Sequence, residues 1–86
     1  MSDSIPIKDS RDLGRVVRAV RKLQRLRQDE VGGFSHSFIG ELETGKPTAQ
    51  IGKVLEALRE LGLKVHVELP PGIDQQAFEA ARTARR

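Results

Sequence analysis

Between Gln28 and Thr48 the chain places an imidazole, two hydroxyls and a carboxylate at helical spacing, on a segment with a marked start and stop. Ser35 is a suitable helix N-cap, because its hydroxyl oxygen can accept from an amide that has no partner within the helix. Gly45 can adopt the left-handed conformation that ends a helix, and Pro47 prevents continuation. Phe38, Ile39 and Leu42 then share one face, which must be buried. His36, Ser37, Gly40 and Glu41 face outward. Short side chains that donate and accept, displayed from a helix N-terminus, suit the base-pair edges of the DNA major groove. The same stretch also spells Gly-x-x-x-x-Gly-Lys from Gly40 to Lys46, close to a phosphate-binding loop. That loop needs a Ser or Thr after the lysine and a strand before the motif. Pro47 follows here, and residues 38 to 43 read as helix, so the nucleotide-binding reading is rejected.

The composition narrows the remaining classes. The chain has 86 residues, a net charge of +3 and no cysteine. That length makes one small domain with few residues to spare for a core, the size at which oligomerisation often supplies stability. Lack of cysteine excludes disulfides and thiolate sites and suggests the reducing cytoplasm. No apolar run approaches a membrane span, and the N-terminus has no signal-peptide pattern. The aromatics are three phenylalanines, which argues against base stacking on single strands but not against duplex readout. Two distant histidines and no convincing carboxylate pair argue against an enzyme. No cofactor or metal site is expected.

The elements that position the central stretch can be read in order. Residues 1–9 form a polar arm. Asp9 or Ser10 caps a first helix to about Leu23 or Gln24, with an apolar stripe of Leu13, Val16, Val17, Val20 and Leu23. Arg11, Arg15, Arg18, Lys22 and Arg25 lie on the opposite face, as a solvated face or as contacts for phosphates or for an acidic partner surface. Arg25, or Arg27 just beyond it, is the phosphate candidate near the end of this helix. Gly32 and Gly33 each disfavour helix by ~1 kcal/mol relative to Ala, so any helix after Arg27 is about one turn. Thr48 caps the next helix, with Ile51, Val54, Leu55, Leu58 and Leu61 buried and Gly62 as its stop.

Leu63 to Leu69 alternates strictly, with Leu63, Val65, Val67 and Leu69 on one face and Lys64, His66 and Glu68 on the other. A lone strand leaves its backbone unpaired, so its partner is expected from a second copy across a two-fold axis. Pro70-Pro71-Gly72 ends it. Asp74 can cap a last helix to Arg85 with Ile73, Ala77, Ala80, Ala81 and Ala84 on a shallow apolar face; a loose tail is the alternative.

Phe-Ser-x-Ser-x-Ile-x-x-Leu-Glu-x-Gly, preceded by Gln28 and followed by Lys46-Pro-Thr-Ala-Gln, resembles the recognition-helix region of Cro/repressor-type (XRE) helix-turn-helix proteins. With Gly52-Lys-Val-Leu-x-x-Leu-x-x-Leu-Gly-Leu added, the stretch from Leu13 to Val67 is most similar to HipB-type antitoxins. The resemblance implies an all-α, four- or five-helix lambda-repressor-like domain over 10–62. It implies an intermolecular sheet from residues 63–69, with 70–86 as tail or short helix. It implies a homodimeric repressor that binds operator DNA and a HipA-like kinase toxin. Phosphate contacts fall to Gln28, Thr44 and Lys46, and base contacts to Ser35, His36, Ser37 and Glu41. Arg21 and Glu43 match a structural ion pair of the family. The chain departs from the family at its second helix, where Arg27 replaces a capping threonine and several residues are missing between Val31 and Phe34. A toxin-binding inhibitor with weak or no DNA binding is therefore the alternative reading.

Overall fold

A computed structural model describes residues 3–83. Four α-helices follow one another: α1 (Ser10–Leu23), α2 (His36–Thr44), α3 (Ile51–Glu60) and α4 (Gln75–Thr83), with a single 3₁₀ turn, Gln28–Glu30, between α1 and α2. Among the described residues there is no strand, and no helix is long and apolar enough to cross a membrane. The architecture is all-α.

Local chemistry sets the boundaries. Asp9 is the cap of α1, its carboxylate accepting from the Asp12 amide at 2.8 Å. Ser10, freed from capping, donates instead to the Gly45 carbonyl at 2.8 Å and ties the start of α1 to the end of α2. The C-termini of α1, α2 and α3 close in the same way. The amides of Leu26, Lys46 and Leu63 reach back five residues, to the carbonyls of Arg21, Glu41 and Leu58, at 3.1, 3.1 and 2.9 Å. Each closure places one residue in the left-handed region: Arg25 at φ 59°, Gly45 at 85° and Gly62 at 80°. A side chain there costs on the order of 1–2 kcal/mol, so Arg25 is the strained member. Part of that cost is offset by Arg21, whose Nη1 donates to the Leu26 carbonyl at 2.8 Å.

The core is Val17 from α1, Val31 from the loop, Ile39 and Leu42 from α2, and Val54, Ala57, Leu58 and Leu61 at α3 and its end. Leu13, Val20, Leu26, Phe34, Phe38, Ala49 and Leu63 pack around it. Three apolar expectations fail. Leu23 is 83% exposed, Ile51 68% and Leu55 41%. Leu23 lies about 200° round α1 from the inward-facing Arg21. On α3 the inward arc is 54, 57, 58 and 61, so Ile51 and Leu55 fall on its rim. Thr48 is not the cap of α3 either; Gln50 holds that position and makes no capping bond through its side chain.

Residues 63–69 also differ from expectation, since they form no strand. A strand is defined by its ladder, and among the described residues no segment pairs with this one. Leu63 is half-buried against the core, while Val65 and Val67 are exposed. Asp74 accepts from the Ala77 amide at 2.8 Å and so caps α4. Every described residue of α4 is exposed, Ala77, Ala80 and Ala81 among them, and Ile73 before it as well. Ala84 and Arg85 lie outside the described residues.

Helices α1 and α2 approach closely at Gly14. A Cβ placed there would stand 2.6 Å from the Leu42 carbonyl oxygen and still closer to that of Glu43. Backbone cannot yield as a flexible side chain can. On an exposed helix, Gly→Ala gains ~1 kcal/mol, but forcing atoms into packed space costs typically ~1–3 kcal/mol. Gly14→Ala is therefore expected to lower stability in urea denaturation despite the better helix former.

Candidate nucleic-acid interface

Helix α2 carries the candidate side chains, and its sequence explains its placement. Ser35 has extended backbone and its Oγ accepts from the Phe38 amide at 3.1 Å. Ile39 and Leu42 turn into the core, and Phe38 stacks on Phe34 with ring centroids 5.3 Å apart. Gly45 is required twice over. Its φ is left-handed, and a Cβ there would meet the Arg11 Cα at 2.8 Å.

On the inner edge of α2 stands a buried network. Arg21 Nη2 donates to Glu43 Oε1 at 3.0 Å, and Arg21 Nε donates to Oε2 of the same carboxylate. The two side chains are only 10% and 5% exposed, so this pair belongs to the buried class, where losing one partner is costly. Gln28 Nε2 donates to Glu43 Oε1 at 3.1 Å. One carboxylate thus joins α1, the 3₁₀ turn and α2. Burial pushes the Glu43 carboxyl up, but the hydrogen bonds from Arg21 and Gln28 and the charges of Arg21 and Arg18 bring it below its ordinary value. The hydrogen bonds that Arg21 donates to Glu43 move the guanidinium in the complementary direction, upward.

The outward residues separate into two sets. Ser37, Glu41 and Thr44 follow one another at helical spacing on the exposed side of α2, with His36 beside them, and all four are exposed. Gly40 is half-buried under Gln28, whose Oε1 would lie 3.5 Å from a Cβ at that glycine. The anchoring candidates are already engaged within the chain. Gln28 is held by Glu43, the Thr44 hydroxyl donates to the Glu41 carbonyl at 2.9 Å, and Lys46 Nζ donates to Glu41 Oε1 at 3.2 Å. The Lys46–Glu41 pair is about half exposed, so water and salt compete with it and it contributes little. A phosphate can displace it. Arg27 is engaged as well, donating to Asp29 at 3.1 Å with Glu30 at 3.8 Å. Arg25 remains exposed on its strained turn.

Two features around α2 carry little signal in the sequence. Thr48, Gln50 and Lys53 line a shallow depression with Phe38, Glu41 and Lys46 beyond the end of α2. Their signal was only a polar loop followed by a helix start. Gly14 is the second, since a helical glycine carries no periodic signal until its neighbour is known.

The network generates a stability prediction. Glu43→Ala leaves the guanidinium buried with one carbonyl partner and is expected to cost ~3–5 kcal/mol. The pH dependence has a definite sign. Because the folded carboxyl titrates lower than the unfolded one, its contribution is complete above about pH 4.3. It is lost as pH falls through the folded value. Chemical denaturation across this range should show a steeper acid loss for the native chain than for Glu43→Gln.

No protein-family model and no solved structure matches this chain. An uncharacterised HTH-type transcriptional regulator, y4mF, of Sinorhizobium fredii (strain NBRC 101917 / NGR234) is 55% identical over 69 residues. The match covers 77% of this chain and 90% of that protein. Identity at that level, over nearly the whole relative, joins the α1–α3 fold and the exposed face of α2 to one conclusion: the chain belongs to the HTH-type transcriptional regulators.

Proposed function

We propose that this chain is a homodimeric, sequence-specific DNA-binding repressor, with α2 as its recognition helix. The observation that carries the reading is the exposed array His36, Ser37, Glu41 and Thr44 on a helix whose inner edge is fastened by the buried Arg21–Glu43 pair. Base readout needs side chains aimed at fixed positions, and a short helix can provide that only if it is clamped from behind. Ser35, His36, Ser37 and Glu41 face base edges in this reading. Gln28, Thr44 and Lys46 reach phosphates after exchanging their intrachain partners. Glu41 can accept from cytosine N4, and its charge is offset by Lys46 until DNA takes that lysine. A second copy joins through residues 63–69, placing two α2 helices on inverted half-sites about 34 Å apart.

The finer identity rests on resemblance. Similarity of Leu13–Val67 to HipB-type antitoxins supports a chain that represses its own operon and binds a HipA-like kinase toxin. Arg11, Arg15 and Arg18 are exposed on α1 and suit an acidic surface on that partner. A specific observation also favours a second reading, in which the chain inhibits a toxin with weak or no DNA binding. The 3₁₀ turn Gln28–Glu30 occupies the place of a full helix, and the phosphate candidates Gln28, Thr44 and Lys46 are all engaged within the chain.

Titration of the chain's own upstream DNA against scrambled DNA, over a range of salt, separates the two. Lys46→Ala is expected to weaken both DNAs alike and to lower the salt slope by about one. Ser37→Ala is expected to cost ~1–3 kcal/mol on upstream DNA while leaving scrambled DNA nearly unchanged. If neither substitution alters DNA binding while the chain still binds a toxin kinase, the inhibitor reading replaces the repressor reading.

A further inference from the structure

Residues 63–69 spell Leu-Lys-Val-His-Val-Glu-Leu, a sequence that is complementary to its own reverse. In an antiparallel pair of two copies centred on residue 66, Leu63 stands opposite Leu69, Val65 opposite Val67, and Lys64 opposite Glu68, each twice. His66 alone meets itself. The side chains of Lys64, Val65, His66, Val67 and Glu68 are exposed. Among the described residues, the backbone amides of 64–69 donate to no backbone carbonyl of the same chain. The segment is therefore free to form a ladder with another copy.

We infer that two copies pair antiparallel in this one register, with His66 on the two-fold axis and the Lys64–Glu68 pairs fixing the alignment. The inference rests on the proposed homodimer and specifies how it closes. Competing alignments are worse on physical grounds. A one-residue slip sets apolar side chains against polar ones. Parallel in-register pairing puts Lys64 on Lys64 and Glu68 on Glu68, and like charges directly opposite are destabilising. Centring on Val67 sets Lys64 against Pro70, which has no amide, and shortens the ladder. Centring on Val65 sets Lys64 against His66 and leaves Glu68 opposite Gly62. Only the alignment on His66 uses all seven residues with opposite charges facing.

The chain has no cysteine, so single cysteines report the register directly. Opposite residues in an antiparallel pair have Cα atoms about 4.5–5.5 Å apart, inside the range a disulfide spans. A residue bonds to its own copy only on the axis. Cysteines placed singly at 64, 65, 66, 67 and 68 of the full chain, under mild oxidation, are expected to give dimer on a non-reducing gel most completely for His66→Cys. Charge reversal gives the second arm. Lys64→Glu alone and Glu68→Lys alone each set like charges opposite at two places, which should weaken dimerisation on the order of tenfold or more in sedimentation. An equimolar mixture of the two variants pairs Glu with Lys at every place and should recover the native dimer. A native chain that sediments as monomer at all concentrations overturns the homodimer reading. A native dimer whose cross-linking peaks at 65 or 67, or whose mixed variants recover nothing, overturns the register alone.

Discussion

The buried ion pair of Arg21 and Glu43 is the constraint on which the rest of this small fold depends. Two opposite charges lie almost wholly out of water, a placement that is tolerable only when their remaining bonds are satisfied. Here they are. The guanidinium spends two bonds on Glu43 and a third on the Leu26 carbonyl, and the carboxylate takes a further bond from Gln28. The same residues hold the strained turn at Arg25, the 3₁₀ turn that follows and the inner edge of α2. Gly14 permits the arrangement, because its missing side chain lets α1 lie against the α2 carbonyls of Leu42 and Glu43.

This bracing also bears on the shortened segment between α1 and α2. In the resembled family a full second helix sets the angle of the next. Here Val31 alone enters the core from that region, and the 3₁₀ turn is three residues long. Gln28 still reaches Glu43, so the side-chain network takes over part of the positioning that backbone packing supplies elsewhere. Its amide lies over Gly40, where a Cβ would make ordinary van der Waals contact with it at 3.5–3.8 Å.

Legibility from sequence followed the range of the interaction. Ser35 and Gly45 were readable as the ends of α2 because capping depends on adjacent residues only. The face of α2 through Ile39 and Leu42 was readable from periodicity. Burial of Leu23, Ile51 and Leu55 was misjudged because periodicity shows which residues share a face but not where the neighbouring helix ends. Thr48 failed as a cap because α3 starts later, at Ile51. Only the family resemblance pairs Arg21 with Glu43, because the two residues are far apart in sequence and no local pattern links them. The alternation at 63–69 is plain in the sequence, yet a ladder needs a second strand, and among the described residues none pairs with this segment.

A double-mutant cycle on Arg21 and Glu43, measured as unfolding free energy in urea at neutral pH, tests the central claim most directly. Arg21→Ala, Glu43→Ala and the double variant are compared with the native chain. If the pair acts as one buried unit, the double variant will lose less than the two single losses together, by about 1–3 kcal/mol. Additive losses would show that the two residues act independently, and the account of how α2 is held in place would be wrong.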